Sequence, residues 1–212
     1  MVVIIPAKPF AQAKSRLSAV LSDSRRAGLS RSLLARTVRL ARQVGPVAVI
    51  SRDPAARRLA KELDAWALVE TGTDLNAALR QAVAWALARG HDTALILPAD
   101  LPRLAAADLQ ALVRQAGPAP AAVIAPCRRE DGTNALLLRP PDVVPVLFGP
   151  GSFARHCEAL KKAGIEPVVF RAPGFAFDLD TPDDWDFWRQ TTPAVGETEP
   201  YPPHPRSRAK TP

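Results

Sequence analysis

Thr93-Ala94-Leu95-Ile96-Leu97-Pro98-Ala99-Asp100-Leu101-Pro102 runs from a continuous apolar stretch into a loop stiffened by two prolines, with one carboxylate between them. An unbroken apolar run bounded by turn residues reads as a strand buried on both faces, the kind that parallel sheets contain. Outward from it the same pattern repeats. Val2-Val3-Ile4-Ile5 stops at Pro6, Val47-Ala48-Val49-Ile50 follows Gly45-Pro46, and further strands are expected at 67–69, 122–125, 134–138 and 167–170. Helical spacing fills the gaps. Leu29, Leu33, Leu34, Val38 and Ala41 share one face, and so do Leu75, Leu79, Ala82, Val83, Ala86 and Leu87. Asp53-Pro54 reads as N-cap and first helical residue, and Asp74 as a second N-cap. Helices are also expected at 108–115 and 153–163. Strands alternating with helices predict an α/β fold, a doubly wound and mostly parallel sheet covered on both faces. Ligands of such sheets lie outside the carboxyl ends of the strands.

Composition narrows the function. The 212 residues carry a formal charge of +7 and are 47% hydrophobic, as a folded domain that attracts anions would be. Aromatics are only 6% and do not interleave with Lys/Arg as base-stacking platforms do, so nucleic acid is not the expected partner. The apolar start MVVII is too short for a membrane span and lacks the features of a signal peptide. Cys127 and Cys157 show no CxxC spacing and read as reduced thiols of a cytoplasmic protein. His91, His156 and His204 are scattered, which argues against a zinc site. Residues 1–190 are expected to form one domain. The stretch 191–212, with Pro200, Pro202, Pro203, Pro205 and Pro212, reads as a disordered tail.

Four segments carry candidate chemistry. Asp100, one step past a central strand, sits where a Mg²⁺ ligand would; the plainer alternative is a turn cap. In Phe177-Asp178-Leu179-Asp180 strand alternation would put both carboxylates on one face, where a shared cation offsets their repulsion. The alternative there is a solvated strand end with Asp180 capping the helix that opens at Thr181-Pro182, while Asp183 and Asp184 serve its dipole. The loop after the first strand holds Lys8, Lys14 and Arg16 without glycines, so it is no P-loop; its cations suit a triphosphate, or form a solvated basic helix start. Thr133 and the Gly149-Pro150-Gly151-Ser152 turn before a helix suit a second anion, or are ordinary turns. Asn76, in the first turn of a helix, reads a base edge or caps.

Together the segments IPAKPFAQAKSRL, SRDP, DLNAAL, LILPADLP, DGTNALLLRPP, FGPGSFARH and FDLDTPDDW resemble, in order, the guanylyltransferases that begin side-chain assembly of the deazaflavin coenzyme F-420. The resemblance spans residues 2–188 and is carried by GTNALLL with FGPGSF, which separates this family from molybdenum-cofactor guanylyltransferases and sugar-nucleotide enzymes. It implies a nucleotide-diphospho-sugar-transferase-like single domain with Mg²⁺ on Asp100, Asp178 and Asp180. It further implies an acceptor on Thr133, Gly149 and Ser152, and the basic loop with Lys8, Lys14 and Arg16, together with Asn76, is then the expected GTP site. That acceptor is a small phosphorylated carboxylic acid, phosphoenolpyruvate, 2-phospho-L-lactate or 3-phosphoglycerate; the Arg/Ala-rich, bacterial-looking character of the chain puts phosphoenolpyruvate first. A homodimer and a downstream transferase as partner are implied as well. Arg128-Arg129-Glu130-Asp131 is poorer in glycine than the family's loop at that point. The other readings are a CTP- or molybdopterin-directed nucleotidyltransferase, a basic nucleic-acid-binding module, and a silent partner of another enzyme.

Overall fold

Strand β1 (Val2–Pro6) is flanked on both sides, by β2 (Val47–Ser51) and by β4 (Ala94–Ile96), each parallel to it. A strand so enclosed needs apolar side chains on both faces, and Val2, Val3, Ile4 and Ile5 are fully buried. The structure, a computed structural model, describes residues 1–191. The tail expected over 191–212 lies outside the described residues, apart from Thr191.

The remaining elements follow in order: α1 (Asp23–Ala41), α2 (Pro54–Glu62), β3 (Trp66–Val69), α3 (Leu75–Ala88), α4 (Ala106–Arg114), β5 (Ala121–Pro126), β6 (Thr133–Arg139), α5 (Ser152–Lys162), β7 (Val168–Val169), α6 (Pro173–Ala176) and α7 (Pro182–Thr191). The sheet has seven strands in the order β3-β2-β1-β4-β6-β5-β7. Leaving β1 the chain winds outward to β2 and β3, then returns to β4 and winds the other way. The crevice between the carboxyl ends of β1 and β4 is therefore the switch point of the sheet.

Among the described residues only β6 runs against its neighbours, antiparallel to both β4 and β5. Residues 127–132 are too few for a crossover, so β5 and β6 must close as a hairpin. The reversal has a consequence for the site. Thr133 and Asn134, at the beginning of β6, arrive where β4 and β5 end.

Alternation along the strands splits the core. Val3, Ile5, Val49, Leu95 and Leu97 face α1, α2 and α4, whereas Val2, Ile4, Ile50, Ala94 and Ile96 face α3 and α5. A third cluster stands apart at the open end: Leu17, Leu21, Leu29, Leu33, Phe177, Leu179 and Trp188. It clamps the turn Ser15–Leu17 and the segment before α7 onto α1.

Caps read from the sequence are in place. Asp53 accepts the N–H of Ala55 at 2.8 Å, and Asp74 that of Ala77 at 2.9 Å. The helix expected at 108–115 begins at Ala106 instead. Asp108 is its third residue and accepts the N–H of the N-cap residue Ala105 at 2.9 Å, which is the acidic half of a capping box.

Residues 175–180 are not a sheet strand. Pro173–Ala176 forms one helical turn, with proline at its start, and 177–180 runs extended but unpaired in the sheet. Phe175 is drawn fully into the core, which curls the chain away from the sheet edge. Gly174 makes this approach possible, because a Cβ there would meet the Asp108 carboxylate and the Leu104 backbone. Gly174→Ala is expected to cost about 1–3 kcal/mol in urea denaturation, through overpacking and a displaced Asp108. An unchanged midpoint would show that the two segments are not tightly apposed.

Candidate active site

Asp100 follows the last rung between β4 and β1, where the Leu97 N–H donates to Ile4 C=O at 2.9 Å. Its own carbonyl accepts the Leu179 N–H at 3.0 Å. That bond sets Leu179 beside Asp100. The extended alternation around it sends Phe177 and Leu179 into the third cluster and leaves Asp178 and Asp180 half-buried at the crevice. The sequence argument for a shared face survives, although the sheet strand behind it does not. Burial first, and the charge of Asp100 second, push the Asp178 carboxyl above its ordinary 3.8, against the Asn134 amide that favours its ionised form.

Facing the acids is the loop after β1. It is pinned at one end by the Phe10 N–H donating to Asp53 Oδ2 at 2.9 Å, and at the other by Leu17 in the third cluster. Between these anchors Lys14 adopts a left-handed conformation (φ 55°) and turns inward. Its ammonium lies 2.9 Å from Asp100 Oδ2 and 3.8 Å from Asp180 Oδ1, and Arg16 reaches Asp180 Oδ2 at 2.8 Å. Lys8 is exposed on the same loop and makes no ion pair among the described residues.

Among the described residues no three His, Cys, Asp or Glu side chains close around one point as a metal cage. Lys14 stands between Asp100 and Asp180 instead. The donors are nonetheless all carboxylate oxygens, and Asp100 and Asp178 are close enough to repel. A hard cation that takes one or two carboxylates and completes its shell with phosphate and water fits that set.

A second group lies across β6. Neighbours on a strand point to opposite faces, so Asn134 turns toward Phe175, donating to its carbonyl at 2.7 Å, while Thr133 turns toward α5. The Thr133 N–H donates to Ser152 Oγ at 3.0 Å, and Thr133 Oγ1 lies 3.0 Å from His156 Nδ1. Gly149 (φ 119°) and Gly151 (φ 67°) bend the chain tightly enough for the Ser152 N–H to reach the Gly149 carbonyl at 3.0 Å. Asp131 ties in the preceding loop by accepting the Gly151 N–H at 3.0 Å.

The expected site residues thus fall into an acid–base cluster (Lys14, Arg16, Asp100, Asp178, Asp180) and a hydroxyl–glycine cluster (Thr133, Gly149, Ser152). Lys8 joins neither by contact. Asn76 also has a structural task. Its amide nitrogen donates to Phe148 C=O at 3.0 Å and its oxygen accepts the Phe148 N–H at 2.8 Å, so both ends are engaged in holding the glycine turn. Nor does Asp180 cap α7. Thr181 and Asp184 form that cap, with Asp184 Oδ2 accepting the Thr181 N–H at 2.9 Å and its hydroxyl at 2.7 Å. His156 shows no ligand spacing with the other histidines, so its role is hidden in the sequence. Its position one helical turn after Ser152 was the available signal.

The family profile described as "Guanylyl transferase CofC like" matches residues 1–187. A phosphoenolpyruvate guanylyltransferase of Rubrobacter xylanophilus is 46% identical over 183 residues, covering 85% of this chain and 89% of that protein. A 2-phospho-L-lactate guanylyltransferase of Methanothermobacter thermautotrophicus is 38% identical over 183 residues, covering 85% and 80%. Among solved structures, a Desulfovibrio desulfuricans protein described as a nucleotide-diphospho-sugar transferase superposes with a TM-score of 0.74 at 18% identity, covering 92% of this chain and 88% of the other.

Because the fold holds the Asp178 proton more tightly than the unfolded chain does, stability falls as pH rises from about 3.8 through the raised folded-state value. Asp178→Asn is therefore expected to melt at a higher temperature than the parent chain in EDTA at neutral pH, the gain vanishing in acid. A lower melting temperature at neutral pH would mean that the contacts of the ionised carboxylate outweigh its burial.

Proposed function

Because the chain belongs to the CofC-like guanylyl transferases, we propose that it moves GMP from GTP onto the phosphate of phosphoenolpyruvate, releasing pyrophosphate, in biosynthesis of coenzyme F-420. The observation that carries this reading is the meeting of Lys14 and Arg16 with Asp100 and Asp180 at the switch point of the sheet. Cations that can leave carboxylates for phosphates, beside oxygen donors suited to Mg²⁺, are what a nucleoside triphosphate requires.

In this reading the triphosphate enters between β1 and β4. Its charge draws Lys14 from Asp100, and Arg16 from Asp180, onto phosphate oxygens, while Lys8 adds to the field from the rim. Asp100, Asp178 and Asp180 would hold Mg²⁺, which when bound supplies further neutralisation of the phosphates. The acceptor sits at Thr133, Gly149 and Ser152, and one of its phosphate oxygens attacks the α-phosphorus in line. A phosphate monoester is largely dianionic at neutral pH, so no general base is needed. His156, buried and with its pKa lowered to about 4 chiefly by desolvation, is not placed to act as one. Rate enhancement then rests on alignment and charge.

The same reading takes residues 1–190 as the catalytic domain, with 191–212 as an appended tail. It places the protein in the cytoplasm, where the free thiols Cys127 and Cys157 stay reduced. Among the described residues no helix is long and apolar enough to cross a membrane. In keeping with the family resemblance, this reading also takes the protein as a homodimer that passes its product to a downstream transferase.

The test is pyrophosphate release from GTP and Mg²⁺ with phosphoenolpyruvate, 2-phospho-L-lactate and 3-phosphoglycerate supplied separately, the product checked by mass. Release with phosphoenolpyruvate alone supports the proposal; release only with another acid reassigns the acceptor, and silence with all three, even with the downstream transferase present, rejects it. Asp100→Asn is expected to lower kcat by about 10³-fold. Lys14→Ala should lower kcat/KM for GTP by about 10²-fold, yet bind Mn²⁺ more tightly without nucleotide, as read by electron paramagnetic resonance. Weaker Mn²⁺ binding in that variant would show that Lys14 does not compete for Asp100.

A further inference from the structure

His156 is fully buried and lies under the hydroxyl–glycine cluster, touching nothing that reacts. Both of its ring nitrogens are nevertheless committed. Nε2 lies 2.9 Å from the backbone nitrogen of Leu147. That N–H can only donate, so Nε2 must be the unprotonated nitrogen. The ring proton of the neutral imidazole is then on Nδ1, and it points at Thr133 Oγ1, 3.0 Å away. Thr133 Oγ1 is the acceptor in this pair.

The direction of that bond has a consequence one atom further on. A hydroxyl that accepts from histidine keeps its own hydrogen to give. Ser152 is in the same position, because its Oγ accepts the Thr133 N–H at 3.0 Å and its hydrogen is likewise unspent. Two neighbouring hydroxyls are thus left as donors, the polarity an anion needs. The opposite tautomer would turn the Thr133 hydrogen toward the ring and present a lone pair to the ligand.

We infer that His156 is a positioning residue for the acceptor. It sets Thr133 as a hydrogen-bond donor to the acceptor's phosphate or carboxylate, and through Leu147 it holds the turn that carries Gly149. The inference rests on the proposed reading of Thr133 and Ser152 as acceptor ligands. Supporting features agree with it. The Phe148 ring stands edge-on to the imidazole, with centroids 5.0 Å apart and planes at 69°, which fixes the ring orientation. Asn76 holds the Phe148 backbone through both its N–H and its C=O. Desolvation, with the nearby Arg155 charge, lowers the His156 pKa to about 4, so the neutral ring persists across the working range.

The experiment compares His156→Gln, His156→Asn, Thr133→Val and the double variant His156→Gln/Thr133→Val in steady-state kinetics, with melting temperatures alongside. Glutamine reaches Leu147 but gives Thr133 no donor. The KM of whichever phospho-acid turns over is then expected to rise about tenfold, with that for GTP within about twofold of the parent value. Thr133→Val should match it, and the double variant should be no worse than either single one. Asparagine, which places an N–H near the Nδ1 position but gives up the Leu147 contact, should recover part of the loss. Additive effects of the two single substitutions overturn the inference, as does an equal loss toward both substrates. If Thr133→Val weakens the acceptor and His156→Gln does not, the inference falls and the acceptor site stands. If Thr133→Val leaves the acceptor KM unchanged, both fall. Should the His156 variants fail to fold, ¹⁵N NMR of the unsubstituted chain decides. A neutral Nδ1–H ring persisting to about pH 5 supports the assignment, and an Nε2–H ring overturns it.

Discussion

Asp100, Asp178 and Asp180 hold like charges in a half-buried crevice, and the ammonium of Lys14, 2.9 Å from Asp100 and 3.8 Å from Asp180, is what lets them coexist there. Much of the local architecture serves that meeting. Phe10 and Leu17 anchor the loop at its two ends, Lys14 takes a left-handed backbone that L-residues rarely adopt, and Leu179 hydrogen-bonds the Asp100 backbone. A carboxyl kept above its usual range and a lysine held in the left-handed region are the local costs of that arrangement.

The third apolar cluster is the mechanical counterpart of this electrostatic arrangement. Leu17 belongs to the basic loop, Phe177 and Leu179 to the acidic segment, and Trp188 to α7. Packing them together on Leu29 and Leu33 of α1 fixes the distance between the two charged segments. Without it the acids and bases would hang from separate ends of the chain, more than 160 residues apart for Arg16 and Asp180. The hydroxyl–glycine cluster is held differently, by polar bonds from α3 through Asn76 and from α5 through His156. One side of the crevice is thus set by apolar burial and the other by fully committed polar groups.

Much of this was legible in the sequence where the signal was local. Buried strands announced themselves as apolar runs, Asp53 and Asp74 as caps, and Asp100 by its place after the central strand. Family membership came from the order of short motifs, and the family profile covers the same span. What could not be read was decided by partners far along the chain. Residues 177–180 alternate as a strand does, yet the pull of Phe175 into the core keeps them off the sheet. Asn76 looked free because its partner, Phe148, is 72 residues away. His156 looked isolated because the groups that give it a role, Leu147 N–H and Thr133 Oγ1, meet it only after β6 has reversed.

The central claim is that the crevice transfers the α-phosphoryl end of GTP to another phosphate rather than cleaving the γ-phosphate or hydrolysing the nucleotide. Following GTP labelled at the α-phosphorus through a single turnover with phosphoenolpyruvate tests it most directly. The account predicts that the label moves into a new phosphodiester-anhydride product carrying the guanosine, with unlabelled pyrophosphate released. Label recovered as free GMP, or retained in GDP, would contradict it.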